Sequence, residues 1–369
     1  MPTPARITAQ LEHCSFCPKL CRHACPVSAA TGREALTPQA KMERLNHIRL
    51  GRVPLTAETA EPIWGCTGCR QCTVYCEHDN EPGRVLMAGR VLATQRGAGH
   101  PALADYPARF RAREDRLVTQ LHSRIPAAQR TDDAAIGFWP GCDGIGKGTP
   151  DVLAALALFQ RAGAGHVKVV DSGRICGGYP LIAAGYLDGF RWHAAKVASA
   201  LRRFRTVVVN CSACVYTLRA LYPAEGVVLS PEIVSLAEFL ASLVDRIPRP
   251  EERRIVYYHD PCYLARYAGV TEAPRRVLSR VAELREMHGS EGDTECCGGG
   301  GLLPKTMPAA ADAMARRRLA PIASRGGGTV VTSCATCSFM LKRNAPSSVE
   351  VCDLASYVTA QITEPAAAL

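Results

Sequence analysis

Five cysteines in the C-terminal half of this 369-residue chain limit how it can fold. They are Cys262, the adjacent pair Cys296-Cys297 followed by Gly298, and Cys334 and Cys337 of a Cys-Ala-Thr-Cys segment. Adjacent cysteines are poor disulfide partners for each other and good metal ligands, and a distant Cys-x-x-Cys pair can close a cage around a metal or an iron–sulfur cluster. The fold must therefore bring three well-separated segments to one point. The remaining thiols of the 18 in the chain are grouped as well.

Two runs lie near the N-terminus: Cys14-Ser-Phe-Cys17-Pro-Lys-Leu-Cys21-Arg-His-Ala-Cys25-Pro26 and Cys66-Thr-Gly-Cys69-Arg-Gln-Cys72-Thr-Val-Tyr-Cys76. The second has the C-x2-C-x2-C-x3-C spacing of a [4Fe–4S] ligand set. The first differs by one extra residue before Cys21, and Glu77 stands where a proline would follow Cys76. Three close thiolates reach three corners of one cube, and the fourth cysteine of such a run ligates the other cube. This assigns Cys14, Cys17, Cys21 and Cys76 to one cluster, and Cys66, Cys69, Cys72 and Cys25 to a second. Zinc ribbons use two Cys-x-x-Cys pairs set farther apart. Between the runs, Thr37 as a cap, Pro38 at the first position and Gly51 at the end predict a helix. Gly83 to Gly97 predicts another, and strand signals are weak.

Composition narrows the class. The length suits two or three domains and 47% of residues are apolar, enough for ordinary cores. A cysteine-rich chain of this size, with no apolar segment in Met1 to Leu11, does not read as a small secreted disulfide scaffold. No apolar run is long enough to span a bilayer. We expect a cytoplasmic protein with reduced thiols, attached to the inner membrane face only through a partner. The net charge is +10. Its arginine groups (109, 111, 113 and 116; 202 and 203; 316 to 318) read as solvated helix faces, and with few aromatics interleaved no nucleic-acid role is expected.

Beyond an arginine-rich helical stretch ending near Arg124 and a linker from Pro126 to Ala134, the chain repeats at a spacing of about 120 residues. Ile136-Gly-Phe-Trp-Pro-Gly-Cys142 parallels Ile255-Val-Tyr-Tyr-His-Asp-Pro-Cys262. Cys176-Gly-Gly parallels Cys296-Cys297-Gly-Gly, with Ile175 at the place of the first cysteine. Val207-Val-Val-Asn-Cys211-Ser-Ala-Cys214 parallels Val330-Val-Thr-Ser-Cys334-Ala-Thr-Cys337. Each copy alternates short β-branched strands, such as Val167 to Val170, with helices, such as one capped by Thr149. That pattern predicts parallel sheets. Cys142, Cys211, Cys262 and Cys334 fall just after strands, where α/β sheets bind ligands. Cys211 and Cys334 open helices, whose positive ends favour thiolates. Four thiolates in the first copy, Cys142, Cys176, Cys211 and Cys214, suffice for a [4Fe–4S] cubane or zinc. The expected organisation is an α-helical two-cluster ferredoxin domain (1–100), a helical connector (101–134), a degenerate first module (135–250) and a complete second module (251–369), both modules α/β with short parallel sheets.

The N-terminal part resembles the helical ferredoxin half of succinate dehydrogenase-type iron–sulfur subunits. The second copy resembles the cysteine-rich "CCG" domain of heterodisulfide reductases. The full layout is similar to the fused heterodisulfide reductase catalytic subunit, the glycolate oxidase iron–sulfur subunit, the C subunit of anaerobic glycerol-3-phosphate dehydrogenase and lactate-utilisation proteins. The resemblance implies a third, noncubane [4Fe–4S] cluster on Cys262, Cys296, Cys297, Cys334 and Cys337, which Gly298 to Gly301 would let the backbone approach. It implies an electron-transfer subunit fed by a flavoprotein dehydrogenase for a 2-hydroxy acid, passing electrons to a quinone-linked subunit, a membrane cytochrome or a thiol/disulfide acceptor. The alternatives are a disulfide reductase catalytic subunit and a zinc-loaded scaffold. Cys352 is outside these sets and reads as a buried apolar filler. His259 reads as a proton donor near the cluster or a loop hydrogen-bonding residue.

Overall fold

The computed structural model describes residues 2–362. Helix Pro4–Phe16 packs on helix Pro38–Arg49, and both touch helix Pro82–Gln95. The Thr37 hydroxyl accepts from the Ala40 N–H at 3.3 Å, Pro38 fills the first turn and Gly51 follows at φ +70°, so local signals place this helix where the sequence predicts it. Trp64, Met42 and Leu36 form the core beneath the cysteine runs. Helix Tyr106–Arg124 then leads to the α/β part.

Among the described residues, nine short strands make two parallel sheets. The first contains β1 (Arg130–Thr131), β2 (Ile136–Trp139), β3 (Lys168–Val170), β4 (Thr206–Val209) and β5 (Glu232–Ser235), in the order β1-β3-β2-β4-β5. The second contains β6 (Ile255–His259), β7 (Glu283–Glu286), β8 (Gly328–Thr332) and β9 (Val349–Asp353), in the order β7-β6-β8-β9. In β2 and β4 the central residues Phe138, Val207 and Val208 are buried, as a sheet covered on both faces requires. A late helix of each module packs on an early helix of the other: Leu236–Ser242 on Glu272–Val281, and Leu354–Ile362 on Thr149–Arg161.

Three local expectations change. The segment read as a linker contributes β1, because Arg130 and Thr131 pair with Val169 and Val170. Thr149 is the first helical residue and Gly148 the cap; the Thr149 hydroxyl instead donates to the Ile145 carbonyl at 2.9 Å. Cys352, on the edge strand β9, is partly exposed.

Candidate metal centres

The two N-terminal runs fold over each other. Cys14, Cys17, Cys21 and Cys76 line one pocket, which Cys72 also lines. Cys25, Cys66, Cys69 and Cys72 line its neighbour. The last cysteine of each run thus sits with the first three of the other. Burial pushes the Cys14 thiol up to about 12; nearby Cys21, Cys76 and Cys17 push the same way, against the Asn80 amide 3.3 Å from its sulfur. Burial and its neighbours hold Cys21 at about 11. Cys72 is also raised, by burial and by Cys69, Cys66 and Cys25.

The pockets differ in charge. At the second, the buried Lys41 ammonium donates to the Gly65 carbonyl at 2.6 Å and lies 3.7 Å from the Cys25 sulfur. Arg90, only 2% exposed, donates to the carbonyls of Ile63, Trp64 and Cys66, and also to Ala183 and Gly301. Neither cation has a carboxylate partner among the described residues. The first pocket has exposed Glu77 at its rim.

The C-terminal five converge as their spacing requires. Cys262 and Cys296 sulfurs are 3.8 Å apart and those of Cys297 and Cys337 3.2 Å apart. Cys334 is the N-cap of helix Ala335–Asn344. Hydrogen bonds from Cys211 and Cys337 hold its thiol well below the usual value. Cys211, N-cap of helix Ser212–Tyr216, moves the opposite way because it gives hydrogens to Cys214 and Cys334. Hydrogen bonding between thiols is the largest cause of both shifts.

In the first module, Cys142 contacts Cys176, and Cys211 contacts Cys214. Ile175 is buried beside them. The loop is pinned by Glu114, whose carboxylate accepts the Ile175 and Cys176 N–H groups and pairs with Arg174 at 2.9 Å.

These sites adjoin. Cys69 contacts Cys296. Cys211 contacts Cys334, and the Ser212 hydroxyl donates to the Cys334 sulfur at 3.0 Å. Nine of the ten module cysteines, all but Cys352, line one cavity of about 320 Å³, with Arg113, Lys147 and Lys305 among its other walls. Gly300 and Gly301 back against the ferredoxin loop: a Cβ on them would meet the Thr67 carbonyl at 2.5 Å and the Cys66 carbonyl at 2.3 Å. The glycines therefore serve this docking.

The donor sets fit a soft, positively charged group. No described cysteine is in a disulfide. Several buried thiols at each corner cannot all ionise without a cation, and bound metal supplies it. Sequence reasoning missed Lys41 and Arg90, and read Arg113 and Arg318 as solvated. Arg113 pairs with Asp143 at 3.0 Å on the cavity wall, and Arg318 is 3% exposed. The helical phase of Arg318, one step past exposed Arg317, was the available signal.

Residues 10–80 match the 4Fe-4S dicluster domain family and residues 256–342 the cysteine-rich CCG domain family. The B subunit of the fumarate reductase (CoM/CoB) of Methanothermobacter marburgensis is 30% identical over 76% of this chain, which spans 57% of that protein's length. The D subunits of the dihydromethanophenazine:CoB–CoM heterodisulfide reductases of Methanosarcina barkeri and Methanosarcina mazei are each 26% identical over 91% of this chain and 88% of theirs. No helix among the described residues is long and apolar enough to cross a membrane. The chain thus carries a dicluster ferredoxin domain and a cysteine-rich domain, and is similar to iron–sulfur subunits of heterodisulfide reductase-type oxidoreductases.

Proposed function

We propose that this chain is the electron-transferring iron–sulfur subunit of an oxidoreductase complex. Cys14, Cys17, Cys21 and Cys76 would hold one [4Fe–4S] cluster, Cys25, Cys66, Cys69 and Cys72 a second, and Cys262, Cys296, Cys297, Cys334 and Cys337 a third. Cys142, Cys176, Cys211 and Cys214 would hold a further cubane or zinc. Bound there, such clusters supply one-electron uptake and release. The observation that carries the reading is the contact of Cys69, which we assign to the second cage, with Cys296, which we assign to the third. Cys17, Cys21 and Cys76 are partly exposed, as are Cys66 and Cys72 of the second cage, and we assign the first cage, with three such thiols, as the surface terminal. A flavoprotein dehydrogenase is the partner we assign there, with a quinone-linked subunit, a cytochrome or a thiol/disulfide couple as the other terminus.

The matching strand orders and reciprocal helix packing support two copies of one unit, with boundaries near 130 and 250. The cavity between them favours a second reading, in which a small disulfide is reduced against the five-cysteine face. Arg113, Lys147 and Lys305 would then attract an anionic substrate, and the buried walls would exclude water.

The test is anaerobic purification with iron, sulfide and zinc analysis, then redox titration followed by electron paramagnetic resonance. Iron for three clusters, all reduced through one donor, supports the relay. Oxidation of the reduced protein by an added disulfide, with thiol release, selects the second reading. Zinc in the C-terminal half with iron for two clusters overturns both.

A further inference from the structure

His259 closes β6 and is completely buried, three residues before Cys262. A ring nitrogen lies within 4.8 Å of the Cys297 and Cys337 sulfurs. Arg318 donates from Nε to His259 Nδ1 at 3.1 Å. A guanidinium has no acceptor, so Nδ1 must carry the lone pair and the single proton of the neutral ring is on Nε2. That Nε2–H has no protein partner among the described residues. A buried donor left unpaired is costly, so the fold retains it for an acceptor that occupies this corner.

We propose that His259 donates an Nε2–H hydrogen bond to a sulfur of the iron–sulfur cluster held by Cys297 and Cys337, in a tautomer fixed by Arg318. The proposal rests on the reading that the five cysteines hold a cluster. The same geometry argues against His259 as a metal ligand: one nitrogen has its lone pair engaged by Arg318 and the other carries the proton. Burial, aided by Arg318, disfavours the charged ring, against weaker pulls from Asp260 and Cys334. Asp260 is itself engaged by Arg275 at 2.8 and 2.9 Å. Behind the ring, Arg318 donates to the carbonyls of His288 and Gly289 and has no carboxylate partner within 4 Å among the described residues. A polarised N–H backed by a buried positive charge stabilises the more negative, reduced state. His259 is thus a positioning residue that raises the reduction potential of the third cluster.

The test uses the full chain purified anaerobically, as wild type, His259→Phe and His259→Gln. Iron content, potentials titrated by electron paramagnetic resonance, and pulsed resonance on protein with 15N-histidine are the readouts. The expected result is unchanged iron in His259→Phe, a lower potential for the third cluster alone, partial recovery in His259→Gln, and a weak 15N coupling with an exchangeable proton in wild type. A coupling of directly bonded size, or iron loss on substitution, makes His259 a ligand and overturns the proposal. So does an unmoved potential with the cluster present, which leaves a structural role. Wild-type iron sufficient for only two clusters overturns the five-cysteine reading and this proposal with it. The 15N measurement on wild type decides the question even if a variant does not fold.

Discussion

The thiol of Cys69 lies against that of Cys296, across 227 positions of sequence, and this contact joins the ferredoxin domain to the second α/β module. Arg266 reinforces it. Its guanidinium donates to the Cys69 carbonyl on one side and to those of Gly292 (2.9 Å) and Thr294 (2.7 Å) on the other. The glycines at 300 and 301 let the two loops meet at backbone distance.

The crossing of the two N-terminal runs predicts which substitutions share a phenotype. Cys25→Ser should alter the same paramagnetic signal as Cys66→Ser, although Cys25 belongs to the other run. Cys76→Ser should alter the signal that Cys14→Ser alters. Each variant should lose roughly four iron atoms at most. If Cys25→Ser and Cys14→Ser affect one signal instead, the cages are not crossed.

Lys41 predicts an asymmetry in potential. A buried ammonium beside Cys25 stabilises the reduced cluster, so Lys41→Met should lower the potential of the second cluster. The expected size is on the order of 60 mV, the one-electron equivalent of about 1.4 kcal/mol. The first cluster, with Glu77 at its rim, should not move. A redox titration resolving the two signals checks this.

Gly301 predicts a docking defect. Its φ is +57° and an added Cβ would sit 2.3 Å from the Cys66 carbonyl. Both the backbone strain and the clash involve main chain that has no slack. Gly301→Ala should keep its iron, lower the melting temperature and slow reduction of the third cluster relative to the second. Rapid-freeze kinetics would show whether the two rates separate.

Asp353 predicts a pH dependence of stability. It is fully buried, and burial first, then Asp151, raise its carboxyl from 3.8 to about 7, against the Ala355 N–H and Lys342. The folded state therefore binds more protons than the unfolded one between these values, and stability falls as pH rises through that window. A shift of this size is worth on the order of 4 kcal/mol. Asp353→Asn keeps an oxygen to accept the Ala355 N–H and should flatten the dependence of melting temperature on pH from about 4 to 7. An unchanged slope would place the titration elsewhere.

The helical ferredoxin and α/β classes were legible because their signals are local. Thr37-Pro38 and Gly51 punctuate a helix, and the valines before Cys211 and Cys334 make short buried strands. The grouping of the N-terminal thiols was legible from their spacing, and that of the C-terminal five from spacing together with the family resemblance. The cations were not. Lys41 and Arg90 are satisfied by carbonyls of loops distant in sequence, and no residue letter records a carbonyl's direction. Arg316 to Arg318 read as one charged face, yet the third turns inward to meet His259. Thr149 lost its capping role because Gly148 turns the chain one residue earlier, and β1 was hidden in two residues that are strand only because Val169 and Val170 lie beside them.

Arg90 has one more consequence. It binds backbone oxygens from the ferredoxin loop (Ile63, Trp64, Cys66), from the first module (Ala183) and from the second (Gly301). A guanidinium stays charged at any working pH, so no protonation event can release it. The three parts are latched at one atom group, and prising any one away exposes the carbonyl partners of the others. Evolution could not easily trade one of these parts for an unrelated version: a replacement would have to present a bare carbonyl at the same place.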